Sequence, residues 1–303
     1  MAGEGAMLIA LLVPLGLAIL LYFVALAKAV IARSAKPLPE AIGVGALTNF
    51  FDTLGIGSFA PTTAWLKFRK LVPDRMIPCT MLVGHTPPSM VQGFIFLILL
   101  GVFVDPVLLV GCIVALLMGG LMGAPMVMKT RVWVVQLVVG LALLLAALMY
   151  LLSNLHMMPG GGTATSLPLH LMIIAVAANF MFGLLLNFGV GNYAPTLVMF
   201  SLMGMDPRLC FPIMAAGAGL TGAAASVRHI SIGQIDFRVA TGLTLGGIPA
   251  VFVAAFIVKS MSVEMLRWLV IFVVLYAAVV MIRAALTGRN DEKLTPESVV
   301  AAS

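Results

Sequence analysis

Nine apolar segments joined by short connections constrain this chain more than any motif in it: residues 7–31, 41–66, 76–103, 106–128, 132–153, 167–203, 209–227, 239–258 and 263–286. Each approaches or exceeds the roughly 20 residues that cross a hydrocarbon core of about 30 Å. Charged residues are only 9% of the 303, against about 25% in a soluble domain, so most of the surface must face lipid. A soluble enzyme, a secreted disulfide scaffold and a single-anchor protein are thereby excluded. Cys79, Cys112 and Cys210 all lie inside apolar stretches and provide neither a disulfide framework nor a metal spacing. The expected fold class is an all-α polytopic membrane protein.

A net charge of +6 invites a nucleic-acid reading, but Lys and Arg collect in the cytoplasmic loops of any polytopic protein. The first segment is preceded by Glu4 and followed by Lys28, Arg33 and Lys36. That order is the reverse of a signal peptide and predicts an uncleaved helix with its N-terminus outside. The polar stretch from Thr287 to Ser303 is expected to be a disordered cytoplasmic tail.

Two segments are interrupted by Gly and Pro. Gly55-Ile-Gly-Ser-Phe-Ala-Pro-Thr62 aligns with Gly189-Val-Gly-Asn-Tyr-Ala-Pro-Thr196, identical at five of eight positions with an offset of 134, and Asp74-Arg75…Pro78 answers Asp206-Pro-Arg208…Pro212. The chain therefore divides into an N-terminal helix (1–39), a first repeat (40–153), an extracytoplasmic linker (154–173), a second repeat (174–286) and the tail (287–303). Gly119…Gly123 and Gly242…Gly246 are small-xxx-small spacings in corresponding helices, expected to pack helices within one monomer.

The basic residues choose between two topologies. If all nine segments span, 8 of the 17 Lys and Arg fall inside; if the second and sixth dip in and return, 14 fall inside and only Arg208, Lys259 and Arg267 remain outside. Each arm of such a hairpin is too short to cross. Each repeat is then a re-entrant broken-helix hairpin plus three spanning helices, and the odd number of crossings inverts one repeat relative to the other. Inverted repeats with broken helices near the midplane characterise secondary transporters, and a backbone break at that depth must line a cavity or be buried in protein.

After each break a helix restarts with Pro61 or Pro195 in its first turn, where a missing N–H costs nothing. The remaining free N–H groups are expected to point into the break, where Gly55, Gly57, Gly189 and Gly191 allow close approach of a ligand. Ser58, Thr62 and Thr63 on one side, and Asn192 and Thr196 on the other, add side-chain donors. Two helix N-termini facing one cavity offer about one positive charge without a Lys or Arg in the membrane. Asn49 and Asn179, each preceding its break, either bind substrate or satisfy freed carbonyls.

These strings, the duplication and the hydrophobic length resemble the sulfite exporter TauE/SafE family, also called toluene sulfonate uptake permeases, with its YfcA-like members, over about residues 40–286. The resemblance implies movement of sulfite, organosulfonates or other sulfur-containing anions across the bacterial inner membrane. Asp52 is the one acid well inside an apolar segment, a costly placement that is usually functional, and His85 in the next helix is its candidate partner in proton coupling. The expected function is a proton-coupled permease for a small oxyanion, with an anion channel whose filter is formed by the two breaks as the alternative. No motif supplies a nucleotide-binding loop, a cofactor site or an enzyme's nucleophile and base. Expected partners are the anionic substrate and the lipid bilayer, with no nucleic acid.

Overall fold

In a computed structural model, which describes residues 2–73, 76–127, 131–155, 157, 162–187, 190–232 and 235–300, the regular elements are helical apart from one isolated bridge. They are α1 (Ala2–Ala32), α2 (Pro39–Thr53), α3 (Phe59–Phe68), α4 (Ile77–Leu99), α5 (Pro106–Val127), α6 (Val132–Asn154), α7 (Leu169–Leu186), α8 (Tyr193–Leu202), α9 (Cys210–Ile232), α10 (Phe237–Ser260) and α11 (Val263–Val300). Eight of these are long and apolar enough to cross a membrane, and the chain is an all-α multi-pass membrane protein. One expectation is corrected: the polar tail is not irregular, because α11 continues as helix through Val300. Its Glu, Lys and Arg residues are good helix formers and extend a helix already nucleated by the apolar stretch before them.

The second and sixth segments each fold back as two helices, and a second expectation is corrected: α7, an apolar helix of 18 residues, is long enough to cross a membrane, so only the first hairpin has two arms too short to span. Glu40, in the first turn of α2, accepts hydrogen bonds from Trp65 Nε1 at 3.0 Å and Arg69 Nε at 2.8 Å, which joins the start of α2 to the end of α3. The bond from Arg69 holds the Glu40 carboxyl below its usual range. With 15 and 10 residues, the arms are about 22 and 15 Å long, so neither crosses a bilayer alone. In the second hairpin Ala164 bridges to Met205, with Ala164 N–H donating to the Gly204 carbonyl and Asp206 N–H to the Ala164 carbonyl. That closes the chain just before α7 onto the chain just after α8.

The two mouths lie at opposite ends of the molecule. At the first, Arg33, Lys36, Met76, Asp236 and Arg238 line one cleft, and Leu38 N–H donates to the Arg238 carbonyl. The C-termini of α1 and α9 and the N-termini of α2, α4 and α10 therefore meet there. At the second, Asp105 N–H donates to the Thr165 carbonyl, which brings the start of α5 to the mouth of the α7–α8 hairpin. Lys67, Arg69, Lys70, Arg238 and Arg283 stand at or toward the first end, whereas Arg208, Lys259 and Arg267 belong to the second. Asp74, Arg75 and Lys129 lie outside the described residues.

The two halves are packed across one another. Leu243 of α10 sits against Gly45 of α2 and Gly84 of α4; Leu116 of α5 sits against Gly183 of α7 and Gly217 of α9. These trios are equivalent, so each third helix is clamped by the first two elements of the other half. Gly119, Gly123, Gly242 and Gly246 all pack helices within the chain, as their spacing predicts, and the correspondence sets their register. Gly246 and Gly247, which abut Ile42 and Asn49, answer Gly119, which abuts Phe180, and Gly120, whose carbonyl accepts from Asn187 at 3.0 Å. The spacing Gly119…Gly123 is thus shifted one turn from the true mates of Gly242…Gly246, because sequence spacing alone ignores which neighbour each glycine admits.

α4 carries Pro87 and Pro88 in its interior, which deprive the carbonyls of Val83 and Gly84 of their helical donors. The Tyr22 hydroxyl of α1 donates to the Val83 carbonyl at 3.4 Å, and the Thr244 hydroxyl of α10 to that of Gly84 at 2.9 Å. Both orphaned acceptors are thereby satisfied from other helices, as irregular backbone in a membrane requires. The N-terminal helix outside the repeat thus has a structural task at the centre of the molecule.

Candidate functional site

The first break runs from Leu54 to Ser58. Gly55 and Gly57 take φ of +97° and +88°, a region open to glycine and costly for other residues, and this lets the chain reverse between α2 and α3. The Ser58 N–H donates to Asp52 Oδ1 at 2.8 Å. Asp52 thus engages the N–H of the residue that precedes α3, an orphan donor at the helix start.

Behind Asp52 runs a closed chain of hydrogen bonds. Asn49 Nδ2 donates to the Gly45 carbonyl at 2.7 Å, which turns Asn49 Oδ1 toward His85 Nδ1 at 3.1 Å; His85 Nε2 is 3.0 Å from the Thr62 hydroxyl. Since Asn49 Oδ1 can only accept, His85 carries its proton on Nδ1, and a neutral ring then accepts from Thr62 at Nε2. Asn49, Thr62 and His85 are all buried. Asp52 and His85, paired in the sequence reading, lie in the same first-break region but bond to different partners. The Thr63 hydroxyl donates to the Phe59 carbonyl of its own helix at 2.9 Å and is occupied there.

The second break differs. Asn192 Nδ2 donates to the Met214 carbonyl of α9 at 3.2 Å, fixing the start of α8. Thr196 is the mate of Thr62, yet its hydroxyl has no partner. The reason is in the repeat: Gly84 answers Gly217, so the residue answering His85 is Ala218, and no imidazole fills the space. Tyr193, in the first turn of α8, also has an unpartnered hydroxyl, beside the Gln92 amide and within electrostatic reach of Asp52. Gln92 is fully buried in α4 with neither amide atom hydrogen-bonded. Asn179 donates to the Ala175 carbonyl two turns before the end of α7, while its Oδ1 has no partner. Gly189 lies outside the described residues.

The breaks approach each other: a Cβ on Gly55 would meet Leu197 of α8 at 3.1 Å and Val273 of α11 at 3.5 Å, whereas Cβ atoms on Gly57 and Gly191 would meet nothing within 4 Å. The two hairpins meet where Gly55, between Asp52 and Ser58, comes up against Leu197, which follows Asn192, Tyr193 and Thr196. The structure adds Gln92 and Tyr193, which the sequence reading missed. A lone Gln in a spanning segment was the available signal for the first; Tyr193 was hidden as the counterpart of Phe59. Asn187, rather than Asn179, is the packing mate of Asn49, as its bond to Gly120 shows.

The two breaks present hydroxyl and amide groups, helix N-termini and one carboxyl group, with Asp52, Ser58, Thr62, Asn192, Tyr193 and Thr196 buried. Among the described residues no cluster of His, Cys, Asp and Glu could hold a metal ion. In comparison with known proteins, residues 171–302 match the family model described as Sulfite exporter TauE/SafE. No curated protein and no solved structure matches the chain.

Proposed function

We propose that this chain, whose residues 171–302 match the model of the Sulfite exporter TauE/SafE family, is a proton-coupled secondary transporter of a small sulfur-containing oxyanion such as sulfite or an organosulfonate. The observation that carries the reading is the trio of buried side chains whose polar atoms lack a hydrogen-bond partner: Tyr193 and Thr196 in the first turn of α8, and Gln92 of α4 beside Tyr193. Burying unpaired polar groups is costly, and an oxyanion with three acceptor oxygens would pay that cost back by accepting from all three while lying at the N-terminus of α8. The substrate-binding set is therefore Asn49, Gly55, Gly57, Ser58, Thr62, Thr63, Asn179, Gly189, Gly191, Asn192 and Thr196 as expected from sequence, weighted toward Thr196 and Gly191 and extended by Gln92 and Tyr193.

Asp52 supplies the coupling. Its Oδ1 is engaged by Ser58 N–H, leaving Oδ2 to carry a proton. An ionised carboxylate near a bound anion, at an effective dielectric near 20, opposes binding by on the order of 2 kcal/mol, roughly 30-fold in affinity. Protonation removes that repulsion, so anion and proton are taken up together. His85 holds Asn49 and Thr62 in register, and protonating its Nε2 would require the Thr62 hydroxyl to turn and accept.

An asymmetry between the hairpins supports alternating access. α8 is buried along its length from Tyr193 to Ser201 with the exception of Met199, whereas α3 buries only Thr62 and Leu66 and leaves Phe59, Trp65 and Phe68 exposed. The inverted halves thus occupy unequal positions, and exchanging them would open the site to the other end. The basic first end is assigned to the cytoplasm of a bacterial inner membrane, with the N-terminus outside and the C-terminus inside. A channel formed by the two breaks is the competing mechanism. Purified protein in liposomes should accumulate labelled sulfite or an organosulfonate when a pH gradient is imposed, with saturation. Downhill, non-saturating flux would select the channel, and no flux of any sulfur oxyanion would defeat the proposal.

A further inference from the structure

The cleft at the first end of the molecule, where α1 ends and α4 and α10 begin, has no role in transport at the breaks. Its volume is about 490 Å³, and Arg33, Lys36 and Arg238 line it together with Asp236, Ile235 and Phe237. The chain makes it by ending α1 sharply. Ala35 N–H donates to the Val30 carbonyl at 3.1 Å and Ser34 N–H to the Ile31 carbonyl at 3.0 Å, with Ser34 at φ +47°. This left-handed reversal closes the helix and turns Lys36 back onto the cleft that Arg33 lines. Leu38 N–H then donates to the Arg238 carbonyl at 3.1 Å, which fixes the start of α10 as the facing wall.

The floor of the cleft is apolar and its rim is cationic. Ile235 and Phe237 are buried, whereas Arg33, Lys36 and Arg238 are exposed. Asp236 is the one acid among the described lining residues, and it is already engaged. Its Oδ1 accepts from the backbone N–H groups of Arg238 at 2.9 Å and Val239 at 3.2 Å, and its Oδ2 accepts from the Arg238 guanidinium at 3.1 Å. The Arg33 guanidinium lies 4.4 Å from the centre of the Phe237 ring and donates to the Ala29 carbonyl at 3.2 Å. Among the described residues neither Arg33 nor Lys36 has a carboxylate partner, and Lys36 makes no hydrogen bond. Two positive charges therefore face the cleft uncompensated.

We propose that this cleft binds the phosphate headgroup of an anionic phospholipid. Basic pockets between spanning helices at a membrane face take such headgroups, and an Arg fork beside a Lys point charge suits a phosphate. The neighbouring surface favours a lipid over a soluble anion: α1 exposes Leu17, Leu20, Leu21 and Val24 along its length, and Ile31, two residues before Arg33, is 76% exposed. A headgroup held by Arg33 and Lys36 leaves its acyl chains to lie against that apolar face. It also ties the extra N-terminal helix to α10 of the second half.

The proposal needs neither the transported substrate nor the coupling ion. The test uses the full chain in mild detergent, with native mass spectrometry counting bound lipid as dioleoylphosphatidylglycerol is added and dioleoylphosphatidylcholine as the zwitterionic comparison. Phosphatidylglycerol should bind saturably and at least tenfold more tightly. Each basic residue near an anionic lipid is worth about fivefold in affinity, so Lys36→Gln, which breaks no bond within the protein, should weaken binding about fivefold and Arg33→Gln with Lys36→Gln roughly 25-fold. Lys67→Gln with Lys70→Gln, which takes two charges from the same end outside the cleft, should leave binding unchanged. Equal binding of the two lipids, an unchanged affinity in Lys36→Gln, or the same loss in the Lys67 and Lys70 variant would each overturn the site. Displacement of phosphatidylglycerol by excess inorganic phosphate would make the occupant a soluble anion and overturn the lipid assignment.

Discussion

Thr62 and Thr196 occupy equivalent places in the two repeats, yet replacing each with Val should have opposite effects on the protein's stability. The Thr62 hydroxyl is 3.0 Å from His85 Nε2, so Thr62→Val leaves a buried ring nitrogen unpaired, at a cost of about 1–3 kcal/mol. The Thr196 hydroxyl is fully buried without a partner, and an isosteric methyl relieves an unsatisfied group. Thr196→Val should therefore be neutral or stabilising by up to about 1 kcal/mol, since membrane hydrogen-bond energies run low. Its cost should appear in transport. Losing one hydrogen bond to a charged ligand is worth about 1.5–3 kcal/mol, a rise in KM of roughly 10- to 100-fold. Unfolding of the purified variants in detergent, followed by sulfite uptake into liposomes, measures both quantities. If Thr196→Val destabilises as much as Thr62→Val, or leaves KM unchanged, then its hydroxyl is not a vacant ligand donor and the reasoning fails.

Other variants probe the remaining links. Gly191→Val should fold normally because its side chain enters open space, yet lose at least 90% of uptake; Gly246→Ala, which would press on the Ile42 carbonyl, should instead lower folded yield through separation of α10 from α2. Asp52→Asn should abolish pH-driven accumulation while downhill exchange persists, measured with and without an imposed gradient. Single cysteines at Lys36 and Lys70, in a background lacking Cys79, Cys112 and Cys210, should react with an impermeant reagent from the same side. Reaction from opposite sides would dismantle the first hairpin.

Much of this architecture was legible before any coordinates, and for identifiable reasons. The Gly/Pro strings announced both breaks because only glycine tolerates the φ values at Gly55 and Gly57 and only a first-turn proline wastes no donor. The distribution of Lys and Arg anticipated hairpins whose mouths lie at opposite ends, since insertion sorts charge along the membrane normal. What failed depended on three-dimensional neighbours. Linear spacing foresaw that Gly119…Gly123 and Gly242…Gly246 pack helices within the chain but not which of these glycines are equivalent, which close approach to Phe180 and Ile42 sets. It offered Asn179 as the companion of Asn49, whereas Asn187 packs as its mate. It also did not foresee the bond from Ser58 N–H to Asp52, because nothing in their spacing says that a carboxylate will turn back across a two-glycine bend. The functional difference between the halves, an imidazole at His85 against Ala218, became visible only once Gly84 and Gly217 were seen to clamp equivalent leucines.

The central claim is that the two breaks hold the transported anion between them, and Gly191 is where it can be probed most directly. A single cysteine placed there, in the cysteine-free background, points into the open space beside Thr196. Its alkylation rate should fall at least tenfold in saturating sulfite or organosulfonate and recover when the anion is removed. An alkylation rate that the anion leaves unchanged would contradict the account.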